Sequence, residues 1–523
     1  MGPEAEEKPN PIPSVQSQST LSSLTTVEES PSPPDEAAQN PVAVTFGSDD
    51  PANPHNWSTV KKIRIVSTMV LISANSTLGS ALAANLAPYL RATMDVPAGP
   101  QTILPTSVYL TGFIFGPLIF APLSESYGRK PVLLIGFVLF TLSALGTALA
   151  PTWPAFLVFR FLTGTFGSPP LSVGGGVIAD VFSHEVIRGR VMMAWGAATF
   201  MGPLGAPIIS GFIGPVAWRW AFWIAFILAA VSFISVVVLP ETLALKILRK
   251  KAARLNKGSG NMGEMYISPG DLQRGSLRVS LATTLSRPMR LLFTEMLLAL
   301  SCAYMAFAYA VFYMSLKIFA AIFQGVYGFT PGLSGVAFTT VGLGTIAACL
   351  GCLWYDKVAP GLAAKHPEKR AEYLRLPIAC VAGPVFVVSL LWLGWSSSPG
   401  IHWVAPLLAA IPYGFAYQMI FNAMLMYVTD AYPIYAASAL ATCSTTRSMA
   451  GALIPLGMDN MLDSLGIAWS CTVLAIVSAV LSFVPFGFIA YGDKISGASR
   501  LSATIKPQAV PNDGELTRSL SAA

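Results

Sequence analysis

Long apolar runs follow one another through this chain, and they constrain its fold more than any other feature. Twelve occur, at about 63–89, 103–122, 131–150, 155–181, 191–214, 219–239, 293–325, 332–354, 376–395, 402–428, 435–460 and 466–490. A helix of ~20 residues crosses the ~30 Å hydrocarbon layer of a bilayer. In lipid only helices and closed barrels satisfy every backbone N–H and C=O, and the alternating ten-residue strands of a barrel are absent. The expected fold class is therefore all-α, a membrane protein of twelve transmembrane helices. Composition agrees. Of 523 residues, 53% are hydrophobic and 11% are charged, where a soluble domain carries about 25% charged residues.

The cations fall in the loops, not along one face, so the net charge of +6 argues for orientation and not for nucleic acid. One side of the expected bundle carries 27 Lys and Arg, and the other carries Arg91 and Arg219; Arg160, Lys317 and Arg447 lie within spans. The side richer in cations is expected to be cytoplasmic, and it holds both termini. A basic connector over 241–290 separates two groups of six spans, 61–240 and 291–492. Residues 1–60 and 493–523 are expected to be tails, the first disordered because it is rich in Pro, Ser, Glu and Gln. No cleavable signal precedes the first run, which must direct insertion itself. The six cysteines lie inside expected spans and read as small packing residues, Cys349 and Cys352 included. The sequons at Asn56 and Asn75 fall in the cytoplasmic tail and in span one, and are expected to stay unmodified.

Between spans two and three stands Ala121-Pro-Leu-Ser-Glu-Ser-Tyr-Gly-Arg-Lys-Pro131. Glu125, Gly128, Arg129 and Lys130 crowd into a tight reversal between antiparallel neighbours. The pattern resembles the loop 2–3 signature of the major facilitator superfamily, with Ala121 for the usual Gly and Glu125 for the usual Asp. The lead-in Asp50–Ser58, the Leu239-Pro-Glu-Thr242 segment and span eleven around Tyr435 and Arg447 are similar to the fungal twelve-span drug:proton antiporter group of that superfamily, which exports drugs, polyamines and secondary metabolites. The resemblance covers roughly residues 50–495. It implies two pseudo-symmetric six-helix halves that alternate around a midplane cavity, with Glu125, Arg129 and Asp180 forming a cytoplasmic gate that closes the halves.

Span five, with Gly202, Pro203, Pro207 and Gly211, resembles the superfamily's antiporter signature; close small-residue packing explains the same residues. Arg160, in Phe159-Arg-Phe-Leu-Thr-Gly164, matches a signature tied to proton coupling. The alternative is an Arg bonded to carbonyls, because a cation inside the hydrocarbon needs a partner or a cavity.

Candidate cavity residues come from three spans. Tyr309, Tyr313 and Lys317 are spaced i, i+4, i+8 on one helix face, where an ammonium beside two phenols suits an anionic or aromatic ligand. Snorkelling of Lys317 to the interface is the competing reading. Tyr417, Gln418 and Asn422 share span ten, and Asn75 lies in span one. Arg447 lines the cavity or is structural. No Asp or Glu falls near the middle of a span, whereas a polyamine site needs desolvated carboxylates. The expected function is thus export of neutral or anionic amphipathic molecules in exchange for protons, by a monomer in the plasma or vacuolar membrane; a polyamine exporter and a nutrient importer are the alternatives. Its partners are small molecules, protons and lipid. No phosphate loop, nucleophile–His pair or metal cluster points to an enzyme, an ATP-driven pump, a cofactor or a metal.

Overall fold

A computed structural model describes residues 42–97, 99–258, 266–268, 289–365, 375–432 and 436–498. Disorder over 1–41 and the tail over 499–523 are expectations outside these residues. Ten helical segments among the described residues are long and apolar enough to cross a membrane. Two features agree with the expected twelve spans. The fourth span is broken into α5 (Trp153–Gly167) and α6 (Pro169–Val181). The last segment holds two spans, α15 (Ala436–Leu453) and the second arm of α16 (Met458–Ala498), divided at Gly466, φ +73°.

In the first half, α1 (Thr59–Ala81) is followed by a short α2 (Ala87–Met94), then α3 (Leu104–Tyr127), α4 (Arg129–Leu149), the α5–α6 pair, α7 (Glu185–Ala217) and α8 (Arg219–Val238). After a connector helix, α9 (Ala244–Gly258), the second half runs α10 (Met296–Ala320), α11 (Pro331–Phe338) with α12 (Thr340–Lys365), α13 (Leu376–Trp395), α14 (Val404–Ala431), α15 and α16. The break in span four follows from Pro169-Pro170, which supply no N–H to the preceding turn.

The two halves pack alike. In the first, α1 lies on α7, α3 on α5, and α4 on both α5 and α8; in the second, α10 lies on α15, α12 on α14, and α13 on both α14 and α16. Across the halves, α3 meets α15 and α7 meets α11. The periphery is apolar and open to lipid: 28% of the most apolar stretch of α8 is buried, against 72% of that in α10.

Glycines set how closely these helices approach. A Cβ at Gly164 of α5 would collide with the backbone carbonyl of Tyr109 on α3. Gly164→Ala is expected to cost about 1–3 kcal/mol through overpacking, read as a lower thermal midpoint of the detergent-solubilised protein.

Residues 42–58 depart from the disorder expected of them. Strand β1 (Val42–Ala43) pairs in parallel with β2 (Tyr266–Ile267), and Val44 N–H donates to the Ile267 carbonyl at 3.0 Å. Val44 is buried with Leu248 and Ala252 of α9, flanked by Phe46 and Tyr266. The apolar partners lie some 200 residues downstream, so the local composition of the tail does not reveal them. Lys251 Nζ meets Asp50 Oδ2 at 2.5 Å. That bond, with one from the Ala52 N–H, holds the Asp50 carboxyl below its ordinary value. The bond's contribution is present above the unfolded carboxyl value of about 4 and is lost as pH falls through the lower folded value. Hydrogen exchange of residues 44–58 should accelerate there.

Candidate functional site

The turn between α3 and α4 is built by Gly128, whose φ of +101° suits glycine alone among common residues. A Cβ there would run into Glu241 and Lys246. Arg129, one residue on, is the hub. Its Nε lies 3.2 Å from Asp180 Oδ2, its Nη1 donates to Ser124 Oγ at 2.7 Å, and its backbone N–H donates to Glu241 Oε1 at 2.9 Å. Thr242 Oγ1 donates to the same Asp180 oxygen at 3.2 Å. Lys246 donates to the Tyr127 carbonyl and lies 3.6 Å from Glu241 Oε2. Lys130 Nζ reaches the Val237 carbonyl at 3.0 Å. Glu125 is exposed on the same turn.

Arg129, Asp180 and the connector form one bonded cluster at the place of the expected latch. The partners of Arg129 and Asp180 named here all belong to the first half and the connector. The halves are joined on this face by another pair. Arg190 Nε, at the start of α7, lies 3.4 Å from Asp356 Oδ2 on α12, and Arg375 Nη1 holds Asp356 Oδ1 at 3.2 Å. Half-exposed pairs of this kind contribute up to about 1 kcal/mol. Asp356→Asn is therefore expected to favour opening of this face by up to about fivefold. The check is alkylation of Cys352, one turn from Asp356, in a variant lacking the other cysteines.

Arg160 is buried, 2% exposed. Its Nε donates to the Pro105 carbonyl at 2.9 Å, its Nη1 to Gly79 at 2.7 Å and its Nη2 to Ser80 at 3.4 Å. The guanidinium also sits 4.5 Å from the Tyr109 ring centroid, and the Tyr109 hydroxyl donates to the Ser76 carbonyl at 2.7 Å. One cation thus ties α1, α3 and α5 together. Asn75 does not join the cavity residues of the second half. Its Nδ2 donates to Ser232 on α8 at 3.3 Å, and the residue lines a void of about 10 Å³ beside Arg160, with Thr147 and Thr163.

The residues that do converge form an aromatic cluster between the halves. Phe200 of α7 stacks on Tyr417 of α14, centroids 4.5 Å apart, and lies 4.6 Å from Phe312 of α10. Tyr417 lies 4.7 Å from Phe421. Tyr309 meets Tyr313 edge to face at 5.0 Å, with their hydroxyls 3.3 Å apart. The Tyr313 hydroxyl crosses to Ser80 Oγ of α1 at 2.7 Å. Arg447 of α15 stands 5.2 Å from the Tyr309 centroid, and its Nε is buried without a hydrogen-bond partner. On the side of the cluster nearer the Arg190–Asp356 pair, Gln418 Nε2 donates to Asn422 Oδ1 at 3.0 Å, and Asn422 Nδ2 reaches Cys352 Sγ at 3.7 Å.

Lys317 is not the cation of this cluster, nor does it only snorkel. Two turns beyond Tyr309, its Nζ lies 3.2 Å from Asp459 Oδ1 and 3.4 Å from Thr102 Oγ1. Thr102 donates to Asp459 Oδ2 at 3.1 Å. Because Thr102 belongs to the first half and the other two to the second, the triad joins the halves on the face opposite the basic loops. Span five serves both contacts of α7. A Cβ at Gly202 would strike the Ala74 carbonyl of α1, and one at Gly211 the Pro331 carbonyl of α11. The Pro207 carbonyl accepts from Asn85 Nδ2 at 3.2 Å, and Pro203 sits within the same helix.

Sequence reasoning did not single out Glu241, Thr102, Phe200 or Phe421. The Leu239–Thr242 segment was a signal for the first. The others are ordinary residues whose role depends on which helix faces which.

The Major Facilitator Superfamily model matches residues 65–455. The chain is 36% identical to the MFS-type efflux pump MFS2 of Trichophyton rubrum over 463 residues, 87% of this chain and 76% of that one. It is 35% identical to the major facilitator superfamily multidrug transporter mdrA of Aspergillus fumigatus, over 87% of this chain and 74% of that one. Among solved structures, the xylose transporter XylE of E. coli superposes with a TM-score of 0.60 at 16% identity, covering 82% of this chain and 98% of that one. Twelve spans in two like-packed halves and these matches lead to one conclusion: the chain belongs to the major facilitator superfamily.

Proposed function

We propose that the protein exports amphipathic small molecules, neutral or anionic, by alternating access and in exchange for protons. The observation that carries the reading is Arg447, a cation beside the aromatic cluster between the halves, with one guanidinium N–H buried and unbonded. Planar rings stack on Tyr309, Tyr417 and Phe200, and a carboxylate or sulfonate on the same molecule meets Arg447. The names of the two fungal relatives, an efflux pump and a multidrug transporter, support export over the importer reading.

The gating follows from the two inter-half joints. In this conformation Lys317, Asp459 and Thr102 close one mouth, while Arg190 and Asp356 bridge the other. Alternation opens one joint while the other stays closed. The 27-to-2 distribution of loop cations supports an orientation with the Arg129 turn and both termini cytoplasmic, in the plasma or the vacuolar membrane. The Arg129–Asp180–Glu241 cluster then holds the turn rigid at the cytoplasmic mouth. The Lys317–Asp459 pair is our candidate for proton exchange, because the two side chains part when the outer mouth opens.

Retention of dyes in fungal cells tests the reading. Cells expressing the protein should retain less of a sulfonated aromatic dye than cells without it. Equal retention of that dye, with lowered spermidine, would favour the polyamine reading.

A further inference from the structure

The connector helix α9 carries Lys246, Arg249, Lys250, Lys251, Arg254 and Lys257, and no acidic residue. At 3.6 residues per turn its sides do different jobs. Leu248 and Ala252 are buried against Val44, flanked by Phe46 and Tyr266. On the opposite side Lys250, Arg254 and Lys257, spaced i, i+4, i+7, are exposed. An amphipathic helix that rides on a bilayer buries its apolar side in lipid. Here Leu248 and Ala252, the middle of that side, are covered by the chain itself, while Leu245 and Leu255 at its two ends stay exposed.

The covering segment is the end of the N-terminal tail. β1 pairs with β2 next to α9, Asp50 meets Lys251, and Asn256 of α9 both donates to and accepts from the Tyr266 backbone, at 2.9 and 2.8 Å. The chain preceding β1, residues 1–41, therefore starts within reach of the exposed cations. It contains Glu4, Glu6, Glu7, Glu28, Glu29, Asp35 and Glu36, against one cation, Lys8. The last four acids lie within 14 residues of Val42, and an extended chain spans up to about 3.3–3.6 Å per residue. The helix is about 22 Å long at 1.5 Å per residue, so this reach covers it.

We propose that the acidic segment 1–41 docks on the Lys250–Arg254–Lys257 face of α9. The occupant is a segment of the chain itself, drawn by charge and tethered by the β1–β2 pair. Tethering raises its effective concentration to the millimolar range, so weak contacts suffice. The seat bears on transport by position. The first turn of the same helix carries Lys246, which donates to the Tyr127 carbonyl of the α3–α4 turn, and the connector's Glu241 accepts from the Arg129 N–H.

Zero-length carbodiimide cross-linking of the full-length protein in nanodiscs, followed by mass spectrometry, tests the proposal. Amides should join Glu28, Glu29, Asp35 or Glu36 to Lys250 or Lys257 at low salt, and fall at least fivefold in 1 M salt. Reversing the helix face (Lys250→Glu, Arg254→Glu, Lys257→Glu) should abolish them. Reversing the four tail acids to Lys in that background should restore them, which separates docking from misfolding. Absence of tail–helix amides overturns the proposal. So does their appearance at equal yield after charge reversal. Loss of the amides in nanodiscs of anionic lipid, with retention in neutral lipid, would assign the face to phosphate headgroups instead.

Discussion

Arg160→Leu is expected to abolish transport and to leave little folded protein. The change strips three carbonyls, on Pro105, Gly79 and Ser80, of their shared donor. Each buried acceptor left without its donor costs about 1–3 kcal/mol. Arg160→Lys keeps the charge but loses the planar fork that reaches three carbonyls on two helices. It should fold in part, with a midpoint between those of the wild type and the Leu variant in fluorescence-detected size exclusion. A wild-type midpoint for Arg160→Lys, combined with lost transport, would contradict the structural role and return Arg160 to proton coupling.

Arg447→Gln should act on substrate and spare the fold, because Arg447 is partly exposed and its Nε satisfies no protein acceptor. A hydrogen bond between the Arg447 guanidinium and a charged group of the substrate is worth about 2 kcal/mol, roughly 30-fold in affinity at 1.4 kcal/mol per decade. Anionic aromatic substrates should lose that much in apparent affinity, and neutral ones of the same ring system little. Equal losses for both would make Arg447 a structural residue and leave the aromatic cluster without charge selectivity.

Much of the architecture was legible because lipid imposes one rule on every span. Apolar runs near 20 residues fixed the order of the helices, and the Gly128 turn marked α3 and α4 as neighbours. The departures came where sequence-distant groups meet. Lys317 reads as a ligand cation or a snorkelling residue until Asp459, 142 residues away, is found beside it. Arg129 reads as a gate residue by its place in the turn, and its backbone bond to Glu241, 112 residues away, shows in no local pattern. Asn75 looked like a cavity amide because depth in the membrane was known and facing was not; it points to Ser232. The tail over 42–58 looked unstructured because its apolar cover comes from α9. In the central cluster, spacing on α10 and α14 identified Tyr309, Tyr313 and Tyr417. Phe200 lies on the opposing half, and no periodicity within one span reveals a partner there.

The most direct test of the account uses purified protein in liposomes under an imposed proton gradient. Two rhodamine dyes with one ring system are compared, the first sulfonated and anionic, the second cationic. The account predicts that the anionic dye moves against its own gradient, opposite in direction to the protons, and that Arg447→Gln slows it by about tenfold or more at sub-saturating dye. Movement driven for the cationic dye alone, or anionic movement indifferent to Arg447, would contradict it.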